Sequence, residues 1–255
     1  MHKLSAIIIT KNEELNIAGV LDSVAWADEI LVVDSFSTDK TLEIASRYPV
    51  RILQRPFDNH ARQKNWAFTQ ASHRWVLVVD ADERVTEKLA TEIKAILAGS
   101  PDKAAYWIYR KNYFMGSEVK YSNWQNDKVI RLLDRTRGAY ADRSVHEEIE
   151  TSGPVGSLKN KLIHNTYRDF EHYFEKYIRY SWWSARDRAK KTKQVTLFHL
   201  ALKPLFRFFR QYILKLGFLD GKVGFIIASM SAYSVFLRYL IVWRMQAGET
   251  MKDNQ

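Results

Sequence analysis

Four short apolar runs separated by segments of helical character limit what the first hundred residues can fold into. Residues 4–9, 29–34, 50–53 and 75–79 are too short for helices and too apolar for strands with one wet face. Between them, Asn12 predicts a helix cap with Glu13 and Glu14 in the first turn. Ser37 or Thr38 predicts the start of a helix through about Tyr48, residues 60–71 another, and Thr86 a fourth through about Ala98. Strand and helix alternate, which predicts an α/β fold with an open, mainly parallel, Rossmann-like sheet flanked by helices and right-handed crossovers.

In such sheets ligands sit beyond the carboxyl ends of the strands. Here those ends carry Asp34 and the acids of VLVVDADE, namely Asp80, Asp82 and Glu83. Asp34 alone is equally well read as a turn residue. Two acids on the short turn Asp80-Ala81-Asp82 repel one another unless a cation or a donor-rich ligand lies between them. The turn after the first strand reads TKNEELN, and Gly19 is the only glycine before Gly99. Neither a dinucleotide fingerprint nor a GxxxxGK[ST] loop is present, so no glycine-rich backbone cradle can hold phosphate. A divalent ion on carboxylate oxygens, Mg²⁺ or Mn²⁺, is the simplest way to neutralise a diphosphate there. With no cysteine in the chain, disulfides and thiolate metal sites are excluded and a reducing compartment is permitted. The apolar start is soon followed by Lys11, Glu13 and Glu14, and is read as a strand rather than a signal peptide.

AIIITKNEELNI, EILVVDSFSTDKT, ARQKNWA and VLVVDADE together resemble the family 2 glycosyltransferases, which have the GT-A fold. Further pieces, NDKVIRLLDR, SVHEEI, LIHNTYRDFEHYFEKYIRYS and GFLDGKVGF, are similar to the bacterial lipopolysaccharide core glucosyltransferases. One departure is Asp34-Ser35, where many members have paired aspartates. The resemblance implies a metal-dependent, inverting enzyme that moves a hexose, glucose from UDP-glucose in the core glucosyltransferase likeness, to a lipid-linked glycan such as the lipopolysaccharide inner core. Thr10, Asn12 and Glu13 would line the nucleoside pocket, with Asp34 on base or ribose and Lys64 near the nucleotide. Asp80 and Asp82 match the DxD pair, Asp82 being the more direct metal ligand. For Lys64 and Glu13 the plainer alternative is a solvated helix face.

Inversion needs a carboxylate to take the acceptor hydroxyl proton. Downstream candidates are Glu118, Asp127, Asp134, Asp142, Glu147, Glu148 and Glu150. Glu147 matches the VHE piece and is favoured, with Asp127 second. His146 and His164 also fall on matched pieces, as candidates to complete a metal shell or as buried structural histidines. Arg131 would meet the donor diphosphate or pair with a core acid. Trp107 and Trp124 are candidate acceptor contacts, core packing being the alternative.

The net charge of +10 belongs largely to one stretch, since residues 186–222 hold 10 basic and 2 acidic side chains. Lys203, Arg207 and Arg210 share one helical face, and Leu205, Phe208, Phe209, Tyr212 and Leu216 another. That pattern predicts a helix in the interface of an anionic membrane. Residues 223–237 carry no charge but fall short of the ~20 residues of a spanning helix. A packed helical hairpin is the alternative, and nucleic acid is not expected as a partner. The expected organisation is a nucleotide-sugar half (1–100), an acceptor half (101–195) and membrane-associating helices (196–247), peripheral on the cytoplasmic face of the inner membrane. Competing readings are transfer to a polyprenyl phosphate, an ADP-heptose donor, or an inactive membrane scaffold of the same fold.

Overall fold

The computed structural model describes residues 2–141, 149–167 and 170–249, the side chains of 172, 175 and 176 excepted. The chain divides into two compact units, Met1–Lys111 with Asp127–His164, and Asn112–Asn126 with Asn165–Gln255. The first unit therefore holds the expected nucleotide-sugar half together with much of the expected acceptor half.

That unit begins β1 (Leu4–Thr10), α1 (Ile17–Val24), β2 (Glu29–Asp34), α2 (Thr41–Ala45), β3 (Arg51–Gln54), α3 (His60–Gln70), β4 (Trp75–Asp80), β5 (Glu83–Arg84) and α4 (Glu87–Ala98). The later strands of the chain are β6 (Ala105–Phe114), β7 (Ser117–Val119), β8 (Lys128–Asp134), β9 (Gly138–Tyr140), β10 (Ile149–Thr151), β11 (Val155–Ser157) and β12 (Leu162–Tyr167). Strands run in the order β3-β2-β1-β4-β8-β6, the first four parallel and β8 antiparallel to both its neighbours. This is the mixed α/β architecture expected, a mostly parallel sheet flanked by helices.

Both faces of the sheet are covered, which is why its strands read as continuous apolar runs. Leu4, Ala6 and Ile8 pack with Val20, Leu21, Leu89 and Ile93 on one face. Ile7, Leu31, Val33, Val76 and Val78 pack with Ala67 and Phe68 of α3 on the other. The parallel register sets Thr10 opposite Asp34 and Ile9 opposite Asp80, so the carboxyl ends of three strands finish level.

Two helix starts differ from expectation. Helix α1 begins at Ile17 with no acid in its first turn, and Asn12 takes a left-handed backbone with φ 54°. Residues 12–14 are bonded instead to the loop after β2. Asn12 N–H donates to Ser37 Oγ (2.8 Å), Glu13 N–H to Thr41 Oγ1 (2.7 Å) and Glu14 N–H to Asp39 (3.1 Å). Thr38 N–H donates in return to Asn12 Oδ1 (2.8 Å). These bonds hold residues 37–40 out of the helix, so α2 starts only at Thr41, whose N–H donates to Asp39 Oδ1 (3.0 Å). Thr86 caps α4 as expected, accepting from Leu89 N–H at 3.2 Å.

The second unit is mainly helical: α5 (Phe170–Ala189), α6 (Lys203–Phe209) between π turns Phe198–Leu202 and Arg210–Leu214, a 3₁₀ turn Gly217–Asp220, and α7 (Gly221–Gln246). Its core joins Phe114, Val119, Tyr173, Tyr177 and Ile227. The expected orientation of the basic segment is corrected here. Lys203 Nζ donates to Tyr239 Oη (2.7 Å) and Arg207 Nε to Ser231 Oγ (2.8 Å), so both cations turn toward α7. Leu202, Leu205, Phe206 and Phe209 remain exposed, Leu205 at 65% and Phe206 at 63%. Hydroxyls on α7 give those cations bonds that an apolar helix face would deny them. The helical stretch Gly217–Gln246 is long and apolar enough to cross a membrane, by length and composition, where the uncharged run 223–237 alone fell short.

The piece GFLDGKVGF has a structural role. Asp220 accepts from Lys120 N–H (2.9 Å), Tyr121 N–H (3.0 Å) and Ser122 Oγ (2.8 Å). A Cβ on Gly224 would lie 1.8 Å from the Gly217 carbonyl oxygen, and backbone cannot step aside as a side chain can. Gly224→Ala is expected to destabilise the chain by about 1–3 kcal/mol, the usual scale for overpacking, read as a lowered thermal midpoint by circular dichroism.

Candidate active site

The end of β4 is a buried charge network rather than an open acidic patch. Glu83 is fully buried, and its Oε2 accepts from Asp80 N–H at 3.1 Å. Its Oε1 accepts from Arg131 Nη2 at 2.8 Å. The same Arg131 nitrogen is hydrogen-bonded to Asp80 Oδ2. Lys64 Nζ stands 3.4 Å from Asp80 Oδ1 although Lys64 is only 2% exposed. Burial opposes charge on Asp80, but Arg131 and Lys64, with Arg110 behind them, outweigh it and hold the carboxyl well below the usual carboxylate range. Burial likewise works against the Arg131 guanidinium, and Asp80 and Glu83 keep it firmly protonated. Lys64 is thus no solvated helix residue, and Arg131 pairs with acids of the sheet.

Helix α3 supplies three consecutive contacts from Gln63, Lys64 and Asn65. Gln63 Nε2 donates to Ser35 Oγ (3.2 Å) behind β2. Lys64 reaches Asp80, and its ammonium lies 5.2 Å from the Tyr140 ring centroid. Asn65 exchanges two bonds with the Tyr140 backbone, Nδ2 to O and N–H to Oδ1, both 2.8 Å. Tyr140 of β9 pairs with Ile149 of β10, so Asn65 anchors the strand pair that flanks residues 141–148.

At the ends of β1 and β2 the nucleoside candidates occupy one rim. The buried Thr10 hydroxyl has no hydrogen-bond partner among the described residues. Asn16 Nδ2 donates to Glu13 at 2.7 Å. Asp34 is fully buried, accepting from Ser37 N–H (2.9 Å) and Gln54 Nε2 (3.1 Å), so its carboxylate is already engaged within the loop.

Asp82 differs from Asp80. Its Oδ2 stands 3.6 Å from His164 Nε2, because β5 pairs with β12 and sets His164 opposite Glu83. Of the two aspartates expected on a metal, Asp82 is the one placed beside another ligand, while Asp80 is taken up by cations. Among the described residues no group of three metal-ligating side chains occurs. A pair fits an ion that takes its remaining ligands from substrate phosphates and water, and two ligands of one octahedral ion are about 3 Å apart. Asp82 and His164 are the residues that would hold it, and His146 lies outside the described residues.

A cavity of about 740 Å³ adjoins Asp80 and is lined by Trp107, Arg110, Lys128, Arg131, Tyr140 and Glu150 among others. Lys128 Nζ sits 4.8 Å from the Trp107 ring centroid. Asp127 is held by Arg110 in a two-bond fork, Nε to Oδ2 at 2.9 Å and Nη2 to Oδ1 at 2.7 Å. Asp134 is fully buried against Arg74 and Thr136. Asp142, Glu147 and Glu148 lie outside the described residues, although Tyr140 and Ile149 on either side of them line the cavity.

The family sequence model described as "Glycosyl transferase family 2" matches residues 5–155, a span that holds the strand ends, α3 and the Asp80–Glu83 turn. The chain belongs to glycosyltransferase family 2. It is 28% identical to the lipopolysaccharide core biosynthesis glycosyltransferase LpsC of Rhizobium meliloti, over 97% of each chain. It is 30% identical to an uncharacterized glycosyltransferase of Rickettsia typhi, over 93% of this chain and 86% of that one. The crystal structure of residues 1–349 of Staphylococcus aureus TarS aligns with 98% of this chain and 93% of that one, at 17% identity and TM-score 0.48.

Glu83, Asn65 and Arg110 escaped the sequence reading as site residues, although Glu83 stands in the acidic run and Asn65 in QKN. Nothing in the local sequence DADE marks Glu83 as its fully buried acid. Arg131→Ala is expected to cost about 3–5 kcal/mol, the scale for breaking a buried ion pair, measured as a shift in urea midpoint at unchanged slope.

Proposed function

We propose that this family 2 enzyme transfers glucose from UDP-glucose, with inversion, to a lipid-linked bacterial glycan, the inner core of lipopolysaccharide. The observation that carries the reading is the Asp82–His164 pair beside the Arg131–Asp80–Lys64 network, at the strand ends and next to a cavity with an aromatic wall. Likeness to LpsC over nearly the whole chain supports the acceptor class.

In this reading Thr10, Asn12, Glu13 and Asp34 receive the nucleoside at the rim of β1 and β2. Asp80 presents a carboxylate to the sugar or ribose, kept charged by Arg131 and Lys64. A bound Mg²⁺ or Mn²⁺ would neutralise the charge that builds on the leaving diphosphate. Glu147 takes the acceptor hydroxyl proton as that oxygen attacks the anomeric carbon, and the bond to UDP breaks with its electron pair on the diphosphate. Trp107 offers the acceptor sugar an apolar ring face at the cavity wall.

The exposed apolar side of α6, with Arg210 and the lysines at 190, 191 and 193 nearby in sequence, supports peripheral attachment to the anionic cytoplasmic face of the inner membrane.

Three outcomes are expected. Glu147→Gln keeps donor affinity and loses transfer by on the order of 10²-fold or more; normal transfer moves the base to another carboxylate. Asp82→Ala and His164→Ala each weaken Mn²⁺ binding in the presence of UDP, followed by the manganese resonance signal, and unchanged binding removes the metal role from that pair. A Leu205→Glu, Phe206→Glu double variant sediments less with phosphatidylglycerol vesicles, and equal sedimentation places the membrane contact elsewhere.

A further inference from the structure

The helical unit contains a second cavity, of about 390 Å³, that none of the roles above uses. Its size falls in the ordinary range for small-ligand pockets. Trp124, Tyr173 and Tyr177 form part of its wall, and Arg207 and Arg238 both line it. No carboxylate lines it among the described residues. Two polar atoms at this wall are buried without partners among the described residues, Arg238 Nε and Gln211 Oε1. Arg207 spends its Nε on Ser231 Oγ (2.8 Å).

Two guanidinium groups on one small cavity, with no facing acid among the described residues, repel one another and lose hydration together. Burial draws Arg207 below the usual arginine range, and Arg210 adds to that. Burial also lowers Arg238, and Arg188 and Arg207 add to it. An oxyanion with several acceptor oxygens would satisfy both forks at once, as phosphate does. The aromatic wall adds what a bare anion does not need, flat apolar faces of the kind that cover the C–H side of a sugar ring.

We propose that this cavity binds the phosphate ester of a sugar, with Arg207 and Arg238 on the phosphate and the Trp124, Tyr173 and Tyr177 rings against the sugar. Gln211 Oε1 is the acceptor for a sugar hydroxyl. Taken as a subsite for a phosphorylated acceptor it rests on the transferase reading; the binding chemistry itself does not.

The test is titration calorimetry of the full chain with glucose 6-phosphate, inorganic phosphate and glucose. Glucose 6-phosphate is expected to bind more tightly than inorganic phosphate, and glucose not measurably. Arg238→Gln and Arg207→Gln should each weaken glucose 6-phosphate at least tenfold, with Arg238→Lys intermediate because it keeps the charge. Thermal unfolding accompanies each variant; if a glutamine variant does not fold, the lysine variant and the wild-type ligand order decide. Absence of glucose 6-phosphate binding by the wild type, or binding that folded Arg238→Gln leaves unchanged, overturns the proposal. Vesicles containing phosphatidic acid, against phosphatidylserine vesicles of equal charge, separate the sources. A phosphatidic acid preference lost in Arg238→Gln assigns a membrane phosphate, and equal binding beside tight glucose 6-phosphate assigns a soluble one. Wild-type protein that binds glucose 6-phosphate but releases no UDP from UDP-glucose upholds the cavity and sinks the transferase reading.

Discussion

Arg131 is the side chain on which the candidate active site depends. It stands buried on β8 between Asp80 and Glu83, where one guanidinium nitrogen serves both the half-buried and the fully buried acid of the DADE turn. A fully buried Glu83 is tolerable because it also accepts the Asp80 N–H, so the turn is closed by its own carboxylate. With the turn fixed, β5 can pair with β12, and that register brings His164 to Asp82. The acids at the end of β4 therefore differ in surroundings. Glu83 is buried in the turn, Asp80 is held charged by cations, and Asp82 faces His164.

Helix α3 ties this network to the rest of the sheet. Gln63, Lys64 and Asn65 serve β2, β4 and β9 in turn, which three successive helical side chains can do only near the helix's buried side and its flanks. The low apolarity of HARQKNWAFTQ follows from this: α3 is spent on polar contacts at its start and packs through Ala67 and Phe68 at its end.

Much of the fold was legible because its signals are local. Runs buried on both faces announced β1, β2 and β4, and Thr86 announced α4 through a cap visible in four residues. The helix starts at Asn12 and Ser37 were misread because both segments satisfy their polar groups with one another across 25 residues, and no local rule contains that partner. At the site, residue types at strand ends could be read, but not their division of labour. Whether Asp80 or Asp82 meets a cation of the protein is decided by β8 and β12, both far along the chain. The basic segment shows the same limit: it is helical as read, but π turns on either side of α6 split the expected faces. Arg210 is left exposed, while Lys203 and Arg207 bond to Tyr239 and Ser231 and Phe208 and Tyr212 pack on Phe225.

The central claim is that the strand ends around Asp80 and Asp82 form a donor site that requires a divalent ion. Titration calorimetry of the wild-type chain with UDP-glucose, with and without Mn²⁺ and beside ADP- and GDP-sugars, tests it most directly. The account predicts uridine-selective binding that appears with Mn²⁺ and disappears with chelator. Equal binding in chelator, selectivity for adenine or guanine, or no donor binding by folded protein would contradict it.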